Sequence, residues 1–324
     1  MTANMLEGLK VALVHDWLTG MRGGEKCLEV LCELFPDADL YTLIHEKGSL
    51  SNTIEAMRIH TSFVQHLPFG VKKYRHYLPL FPSAIEKFNL EKYDLIISSS
   101  HCVAKGVKHS DSTYHLSYIY TPMRYVWDQF GVYFRQPRTS WAVRIGAELM
   151  RPYLQRWDNK SADRVDSFLS ISHNVRRKVL KYYGRESQVV YPPVDLSYFS
   201  PGTQKENYYL MIGAFAPNKR VDLAVEAFNR LKLPLKIVGS GQDEEYCKNI
   251  AGDTIEFLGS SPDDELLKLY QNARAFVFPG EDDFGITPLE SQACHTPVIA
   301  FAAGGAMETI TEKTGVFFGK QKVE

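Results

Sequence analysis

The sequence lacks the features that would assign it at once to several common classes of protein. Its 324 residues carry a formal net charge of −1, so charge gives no reason to expect nucleic acid as a partner. No apolar run approaches the roughly 18 residues that a membrane-spanning helix needs, and the first eight residues are too short and polar for a secretory signal. The five cysteines are scattered and odd in number, which favours reduced thiols in the cytoplasm over a disulfide framework or a metal site.

Hydrophobic residues are plentiful, and strand and helix patterns alternate along the whole chain. A hydrophobic content of 44% in 324 residues is enough for two domains with separate cores. The alternation predicts α/β domains with parallel sheets. We expect residues 166–172 to be the last strand of the first domain and the proline-containing stretch 189–195 to be the connection. The predicted domains are therefore residues 1–190 and 191–324.

One stretch near the end of the chain combines an apolar run, an acidic turn and a helix pattern. Phe276–Phe278 has the character of a short buried strand, which Pro279–Gly280 ends. Thr287 is a candidate N-cap with Pro288 at the first helical position, and the helix pattern continues to Ala293. The sequence thus predicts a strand, a turn and a helix N-terminus at one edge of a sheet.

This predicted turn has two kinds of group suited to binding. The backbone N–H groups of Phe284, Gly285 and Ile286 would point outward and donate hydrogen bonds to anionic oxygens. The carboxylates of Asp282 and Glu290 would lie beside them and accept hydrogen bonds from hydroxyls. Acidic residues near a helix start often only complement its dipole, but the order of residues here favours a ligand with phosphate at one end and a polyol at the other.

That order resembles the donor-site signature of retaining glycosyltransferases of family 4, in which seven residues separate two glutamates. Glu290 occupies the second position, Asp282 the first, with Glu281 beside it, and the run from Phe284 to Glu290 keeps the family's pattern. The resemblance covers nearly the whole chain. It implies the GT-B fold, two doubly wound Rossmann-like domains facing across a cleft. It also implies a catalytic site in which Asp282 holds sugar hydroxyls and Glu290 the ribose or sugar.

The first strand–helix loop is a second place where the residues and the resemblance agree. Gly23 and Gly24 precede a predicted helix, so the backbone there can approach an anion closely. On its own this pair is weak, because most such glycines only make turns. The family has a glycine pair here near the donor diphosphate and the acceptor. The resemblance therefore assigns Gly23 and Gly24 to the donor, and Glu25 and Asp16 to the acceptor side.

For a basic pair in the second half of the chain, the residue pattern and the resemblance again agree. Lys219 and Arg220 lie just ahead of a predicted helix, where cations do not favour the helix dipole and a bound diphosphate would explain them. The resemblance makes them the diphosphate clamp, with Gly213 at the turn before them. Ala214 stands where the family often has a further arginine.

The run Thr121–Asp128 resembles a subgroup of family 4 that transfers mannose during assembly of O-antigens and other polysaccharides. The residue before this run, usually histidine and near the reacting sugar, is Tyr120 here. A phenol with an ordinary pKa of about 10 is a poor base near neutrality, and the leaving phosphate can take the acceptor proton instead. His101 and His115 are possible substitutes, and Arg124 is a candidate partner for phosphate.

Two basic, aromatic-rich stretches suggest a further partner. Residues 63–82 and 132–157 mix lysine or arginine with large apolar side chains. Both patterns suit the surface of a membrane, an ordinary amphipathic helix, or an acceptor that carries phosphate. The sequence therefore leaves open a peripheral contact with the inner face of the membrane.

Taken together, the sequence predicts transfer of a hexose, mannose from GDP-mannose first, to a hydroxyl of a glycan or polyprenyl-linked acceptor, without metal or resident cofactor. The chain ends soon after a strand-like run, 316–318, so we expect a domain truncated at that end. Three alternatives remain: a sugar-nucleotide 2-epimerase, a degenerate sugar-nucleotide-binding or scaffold protein, and, more distantly, an NAD oxidoreductase. The last lacks the full glycine fingerprint.

Overall fold

A computed structural model describes residues 8–136 and 139–323, apart from the side chain of Asp263. The chain divides into two compact units between Tyr191 and Pro192. Each unit is a parallel sheet with helices, and each is described separately.

The first unit contains a seven-stranded sheet in which every pairing is parallel, with the strand order β3-β2-β1-β4-β5-β6-β7. Its central strands are largely buried, as expected when helices cover a parallel sheet. The strand Val11–His15 is mainly apolar, whereas its neighbours also bury Ser98, Ser99, Ser100, His115 and Ser117. The strands are β1 Val11–His15, β2 Asp39–Thr42, β3 Arg58–Thr61, β4 Leu95–Ser100, β5 Tyr114–Ile119, β6 Ser167–Ser170 and β7 Ser187–Val189.

The helices of the first unit connect these strands. They are α1 Gly23–Leu34, α2 Asn52–Glu55, α3 Phe81–Ile85, α4 Phe130–Phe134, α5 Trp141–Ser161 and α6 His173–Tyr183. Short 3-10 turns cover Phe63–His66, Tyr74–Leu80, Ala104–Gly106 and Ala162–Arg164. Helix α6 shows how local sequence sets its bounds: the hydroxyl of Ser172 accepts from the N–H of Val175, and Gly184 ends the helix at φ 65°.

For the first unit, one of the alternatives left open is excluded and one expectation was wrong. Residues 63–82 do not form one amphipathic helix, because prolines and Gly70 divide the stretch into short 3-10 turns. Residues 166–172 do not contain the last strand, because the three-residue strand β7 pairs with β6 beyond it. The middle residue of β7, Gln188, is exposed, so the segment has no apolar run to mark it.

The second unit contains a six-stranded parallel sheet with the order β10-β9-β8-β11-β12-β13. Its strands are β8 Tyr209–Ile212, β9 Leu235–Val238, β10 Ile255–Gly259, β11 Ala275–Phe278, β12 Val298–Phe301 and β13 Gly315–Phe318. Its helices are α7 Val221–Leu231, α8 Glu244–Ile250, α9 Asp263–Asn272, α10 Ile286–Ala293 and α11 Ala306–Thr309. Both sheets share one doubly wound order, which reverses between β1 and β4 in the first and between β8 and β11 in the second.

Glycines let the loops at the carboxyl edge of the second sheet touch one another through their backbones. A Cβ atom on Gly239 would overlap the carbonyl of Gly213, and one on Gly280 would overlap the backbone of Asn218 and Lys219. A Cβ on Gly304 would overlap the carbonyl of Asp282. The loops after β8, β9, β11 and β12 therefore hold each other in place.

Candidate functional site

The carboxyl ends of β1, β4 and β5 meet at the switch point of the first sheet, where open α/β sheets bind ligands. A chain of hydrogen bonds joins them. The phenol of Tyr120 donates to the carbonyl of Gly24 at 3.0 Å, so the hydroxyl of Ser99, 2.9 Å away, must donate to the Tyr120 oxygen. Ser99 in turn accepts from Nδ1–H of His15 at 2.8 Å. These hydrogen bonds fix the first turn of α1 against the ends of three strands.

Asp16 stands directly after β1 and is fully buried. Its carboxylate accepts four backbone N–H groups at 2.6–2.9 Å, from His101, Cys102, Val103 and Ala104. It therefore shapes the loop after β4 and has no exposed surface to offer an acceptor.

His101 is in contact with the buried Asp16 and is itself partly exposed at the switch point. Its Nδ1 lies 3.1 Å from the Asp16 carboxylate, and its side chain is 22% exposed. Trp17 packs edge-on against the imidazole, with ring centroids 4.4 Å apart. Burial lowers the pKa of His101 to about 4, although the charge of Asp16 opposes this. Near neutrality His101 is a neutral imidazole held in one orientation by a carboxylate.

Glu25 lies in the first turn of α1 and is buried, 3% exposed. Its Oε1 lies 3.8 Å from Nε2 of His15. Burial raises the pKa of Glu25, but the nearby His15, His101 and Arg22 bring it below the ordinary value. Gly23 is the first residue of α1 rather than part of a loop before it, and a Cβ on Gly24 would rest on His15 and Tyr120 at 3.7 Å.

Tyr120 is 8% exposed. Burial raises its pKa well above the usual value, and the nearby Cys27 adds to this. A phenol that already donates to a carbonyl and resists ionisation is a poor base. Arg124 is half-buried, and its charge lies close enough to lower the pKa of His101. The structure thus brings Arg124, His101 and Tyr120 into one neighbourhood.

The corresponding site of the second unit is the switch point between β8 and β11. Lys219 and Asp282 form an ion pair there, with side chains 25% and 13% exposed. Asn218 donates to the other Asp282 oxygen at 3.5 Å. The two residues that the sequence assigned separately, one to diphosphate and one to sugar, are in contact.

Arg220 is the N-cap of α7 and has a left-handed backbone, φ 53°, which is uncommon for a residue with a side chain. Its Nε lies 3.1 Å from the Asp222 carboxylate in the first turn of the helix. This contact offsets the unfavourable position of a cation at a helix N-terminus. Gly213, after β8, donates its N–H to Val238 at 3.0 Å and has open space beside its Cα.

The helix after the acidic turn begins earlier than expected. Helix α10 starts at Ile286, with Gly285 as N-cap at φ 90° and no side-chain cap. The expectation that Thr287 caps the helix with Pro288 at its first position was wrong, because both are inside the first turn. Phe284 is buried, so the backbone of residues 284–286 is fixed by side-chain packing on one side.

Glu290 lies on α10 and is 6% exposed. Tyr270, on α9, donates its hydroxyl to the Glu290 carboxylate at 2.8 Å. Burial raises the pKa of Tyr270 well above its usual value, and the Glu290 charge adds to this. Glu290 is therefore anchored from within the second unit.

Sequence reasoning missed the supporting residues Ser99, His15, Asn218 and Tyr270. Only Ser99 had a signal, a run of three serines at the end of an apolar strand. Tyr270 has no local signal for its role, because its partner is twenty residues away in sequence.

The described part of the chain shows neither a metal-binding cluster nor a membrane-spanning helix. Residues 8–136 and 139–323 contain no group of three or more histidine, cysteine, aspartate or glutamate side chains placed to hold a metal ion. Within the same residues, no helix combines the length and apolar character needed to cross a membrane.

Comparison with known families gives a match to each half of the chain. The family described as Glycosyltransferase Family 4 matches residues 23–198, more than half of the chain. The family described as Glycosyl transferases group 1 matches residues 198–324.

Two curated relatives give the level of similarity. The O-antigen chain mannosyltransferase RfbU of Salmonella typhimurium is 30% identical over 151 residues, 43% of this chain and 43% of RfbU. A GDP-mannose-dependent monoacylated alpha-(1-6)-phosphatidylinositol monomannoside mannosyltransferase of Corynebacterium glutamicum is 27% identical over 189 residues, 48% of this chain and 50% of the relative. The chain thus spans about half the length of the curated relatives it matches, or less.

Among solved structures, Anabaena HepE in complex with UDP and glucose superposes with a TM-score of 0.68 at 15% identity, covering 97% of this chain and 87% of HepE. Similarity at this identity establishes the fold. The GT-B fold consists of two Rossmann-like domains in one chain, and this chain has two such domains. The predicted fold class is therefore confirmed. With both sheets, both switch points and the family match in agreement, the chain belongs to glycosyltransferase family 4.

Proposed function

We propose that this protein transfers a hexose from a nucleoside diphosphate sugar to a hydroxyl of a glycan or lipid-linked glycan, with retention at the anomeric carbon. The observation that carries the proposal is the Lys219–Asp282 ion pair at the switch point of the second sheet. A cation and a carboxylate side by side match a ligand whose diphosphate adjoins a polyol. Family membership supports the same reaction class.

In this proposal the ion pair is the resting arrangement of two ligand-binding groups. When donor binds, Lys219 turns to the diphosphate, together with Arg220, and Asp282 accepts from sugar hydroxyls. Neutralising the leaving group is the main electrostatic task. The bond from the anomeric carbon to the phosphate oxygen breaks, the acceptor oxygen bonds to that carbon on the same face, and the acceptor proton passes to the leaving phosphate.

Roles for the remaining residues follow from their positions. Glu290, anchored by Tyr270, binds the ribose or sugar, and the backbone of residues 284–286 and of Gly23 and Gly24 donates to the diphosphate. Asp16 acts through His101, the partly exposed member of the pair. The reaction uses no metal and no resident cofactor, with the sugar nucleotide as co-substrate.

For the donor we propose GDP-mannose. The subgroup resemblance of Thr121–Asp128 supports mannose, as do the names of RfbU and of the Corynebacterium enzyme, whose name includes GDP-mannose. HepE was solved with UDP and glucose, so a UDP-sugar is the donor to test beside it. The proposed acceptor is a glycan or polyprenyl-linked glycan, met at the cytoplasmic face of the membrane.

The test is thermal stabilisation by GDP, UDP, ADP and their sugars. A ligand at a hundred times its dissociation constant adds about 2.7 kcal/mol, a shift of several degrees for a protein of this size. We expect a shift with GDP species that is lost in Lys219→Ala and Glu290→Ala. Lys313→Ala is the matched control, because Lys313 is an exposed lysine of the same unit just before β13, at the amino edge of the sheet. No shift with any nucleotide would contradict the proposal.

One observation favours a second function, sugar-nucleotide binding without turnover. Tyr120 replaces a histidine expected near the reacting sugar, and the structure gives its phenol a hydrogen bond to Gly24 and a raised pKa. Donor stabilisation with no product from any acceptor, and activity gained in Tyr120→His, would establish that alternative. Release of a free altered sugar without acceptor would instead identify an epimerase.

A further inference from the structure

Helix α5 carries large apolar side chains that nothing in the described chain covers. Trp141, Ile145, Leu149 and Tyr153 follow one another at four-residue spacing, so they form one stripe along the helix. They are 77%, 52%, 74% and 45% exposed. Single exposed apolar residues are ordinary, but a continuous stripe marks an interaction surface. These four residues are called the α5 stripe below.

The opposite face of α5 has its partner from Met150 onward, whereas Val143, on the same face in the first turn, is 52% exposed. Leu154 is buried, and Met150 and Trp157 pack against the main core of the first unit. Asp158 is fully buried and lies 3.1 Å from the ammonium of Lys105. Because this face anchors the helix, the α5 stripe is not needed to hold α5 on its unit.

The charges around the α5 stripe are of one sign. The two acids of the helix are neutralised, Glu148 by Arg135 at 2.6 Å and Asp158 by Lys105. Arg144, Arg156 and Lys160 are exposed. Among the described residues these three cations form no ion pair with an acid, so the stripe, with its tryptophan and tyrosine, is flanked by positive charge that complements an anionic lipid surface. The same charges would repel a second copy of this helix.

The other basic stretch, residues 63–82, has few exposed apolar side chains. Most of its large apolar residues, Phe63, Leu67, Tyr74, Leu78 and Phe81 among them, pack in the main core of the first unit. Phe69 and Leu80 are the exposed exceptions, at 69% and 41%, and they are eleven residues apart in sequence. Its apolar residues therefore serve folding, and α5 is the stronger candidate.

We propose that the α5 stripe is the element by which this protein docks on anionic membrane surfaces, with the helix lying along the lipid interface. Docking of this kind goes beyond the proposed sugar transfer, and only its use in reaching a lipid-linked acceptor rests on that function. The basic residues draw the helix to the surface, and the stripe enters the interface.

The test is co-sedimentation with phosphatidylcholine vesicles, prepared with and without phosphatidylglycerol. We expect the wild-type protein to sediment with the anionic vesicles, and Ile145→Ser/Leu149→Ser to lose about tenfold or more in partitioning. Leu34→Ser/Leu180→Ser is the matched control, since these leucines are 66% and 50% exposed on other helices. Arg156→Gln/Lys160→Gln should weaken binding only where phosphatidylglycerol is present.

Three outcomes would overturn the proposal. The first is a wild-type protein that stays in solution with anionic vesicles. The second is a stripe variant that binds as well as the control. The third is a self-association, seen by sedimentation velocity, that the stripe variant abolishes, because a second copy would then cover the face. Nucleotide stabilisation is measured separately, so failure of the docking and failure of the sugar-transfer proposal remain distinguishable.

Discussion

The phenol of Tyr120 donates to the backbone carbonyl of Gly24 at 3.0 Å, which joins the end of β5 to the first turn of α1. Ser99 and His15 extend this contact across two further strand ends. Tyr120 therefore connects the end of a strand to the start of a helix through its side chain.

The first prediction concerns Tyr120→Phe. Loss of the hydroxyl leaves the Gly24 carbonyl without its donor, so we expect a loss of about 1–3 kcal/mol in unfolding free energy, measured in urea. Sugar transfer should stay within about tenfold of wild type, because a true general base contributes about a hundredfold or more. Tyr118→Phe, whose phenol donates to Val190 at 3.0 Å, controls for hydroxyl loss. A transfer rate reduced more than a hundredfold in a folded variant would restore Tyr120 as a base.

The second prediction separates the two members of the Lys219–Asp282 pair. Asp282→Asn frees the Lys219 charge, so GDP should bind roughly three- to tenfold more tightly. The same variant should lose the extra affinity for GDP-mannose over GDP, because the sugar hydroxyls lose an acceptor. Lys219→Ala should weaken both ligands. Titration calorimetry gives each constant, and an equal weakening of GDP in both variants would mean that Asp282 only supports the loop.

The third prediction concerns the anchor of Glu290. Tyr270→Phe removes a hydrogen bond to a carboxylate, which contributes about 1.5–3 kcal/mol. Tyr208→Phe, at a hydroxyl that donates to the Leu269 carbonyl at 2.9 Å, removes a bond to a neutral group and should cost about 0.5–1.5 kcal/mol. Urea unfolding compares the two, and GDP binding should weaken only in Tyr270→Phe. Equal losses of unfolding free energy in the two variants, with GDP binding unchanged in both, would contradict the proposal that Tyr270 positions Glu290 for the ligand.

The fourth prediction is a loss of stability in mild acid. Burial lowers the pKa of His115 to about 3, and that of His101 to about 4. At pH values between these pKa values and about 6.5, the unfolded chain binds more protons than the folded chain. The unfolding free energy is therefore fully present above pH 6.5 and decreases as the pH is lowered through this range. Each histidine should remove about 2 kcal/mol between pH 6.5 and 5.

The measurement is urea unfolding at several pH values in that window. The slope of unfolding free energy against pH gives the number of protons taken up on unfolding. His101→Asn should reduce that number by about one, and a folded His115→Asn variant should do the same. His76→Asn is the control, because His76 is exposed and should leave the slope unchanged. An unchanged slope in His101→Asn would show that its imidazole is protonated in the folded protein.

Parts of the fold with a continuous local signal were predictable from sequence. Strand β11 falls within one residue of its predicted bounds, because a strand buried on both faces is a short apolar run. Helix α10 ends at Ala293 as predicted.

Other features depend on tertiary contacts that no local pattern records. Strand β7 was missed because it is short and half-exposed. Thr287 looked like an N-cap, but Gly285 takes that position with a backbone that favours glycine. The burial of Asp16 follows from a loop more than eighty residues away in sequence, so its role became visible only in the folded chain.

The backbone contacts of Gly239, Gly280 and Gly304 have a consequence for engineering donor choice. Any side chain at these positions would push two loops apart, so they belong to a frame that a mutagenesis library should keep constant. Ala214 lies in the same group of loops but is exposed, and its side chain can be enlarged without moving a neighbouring backbone. Variation directed to such positions would alter what the loops recognise while preserving how they are held.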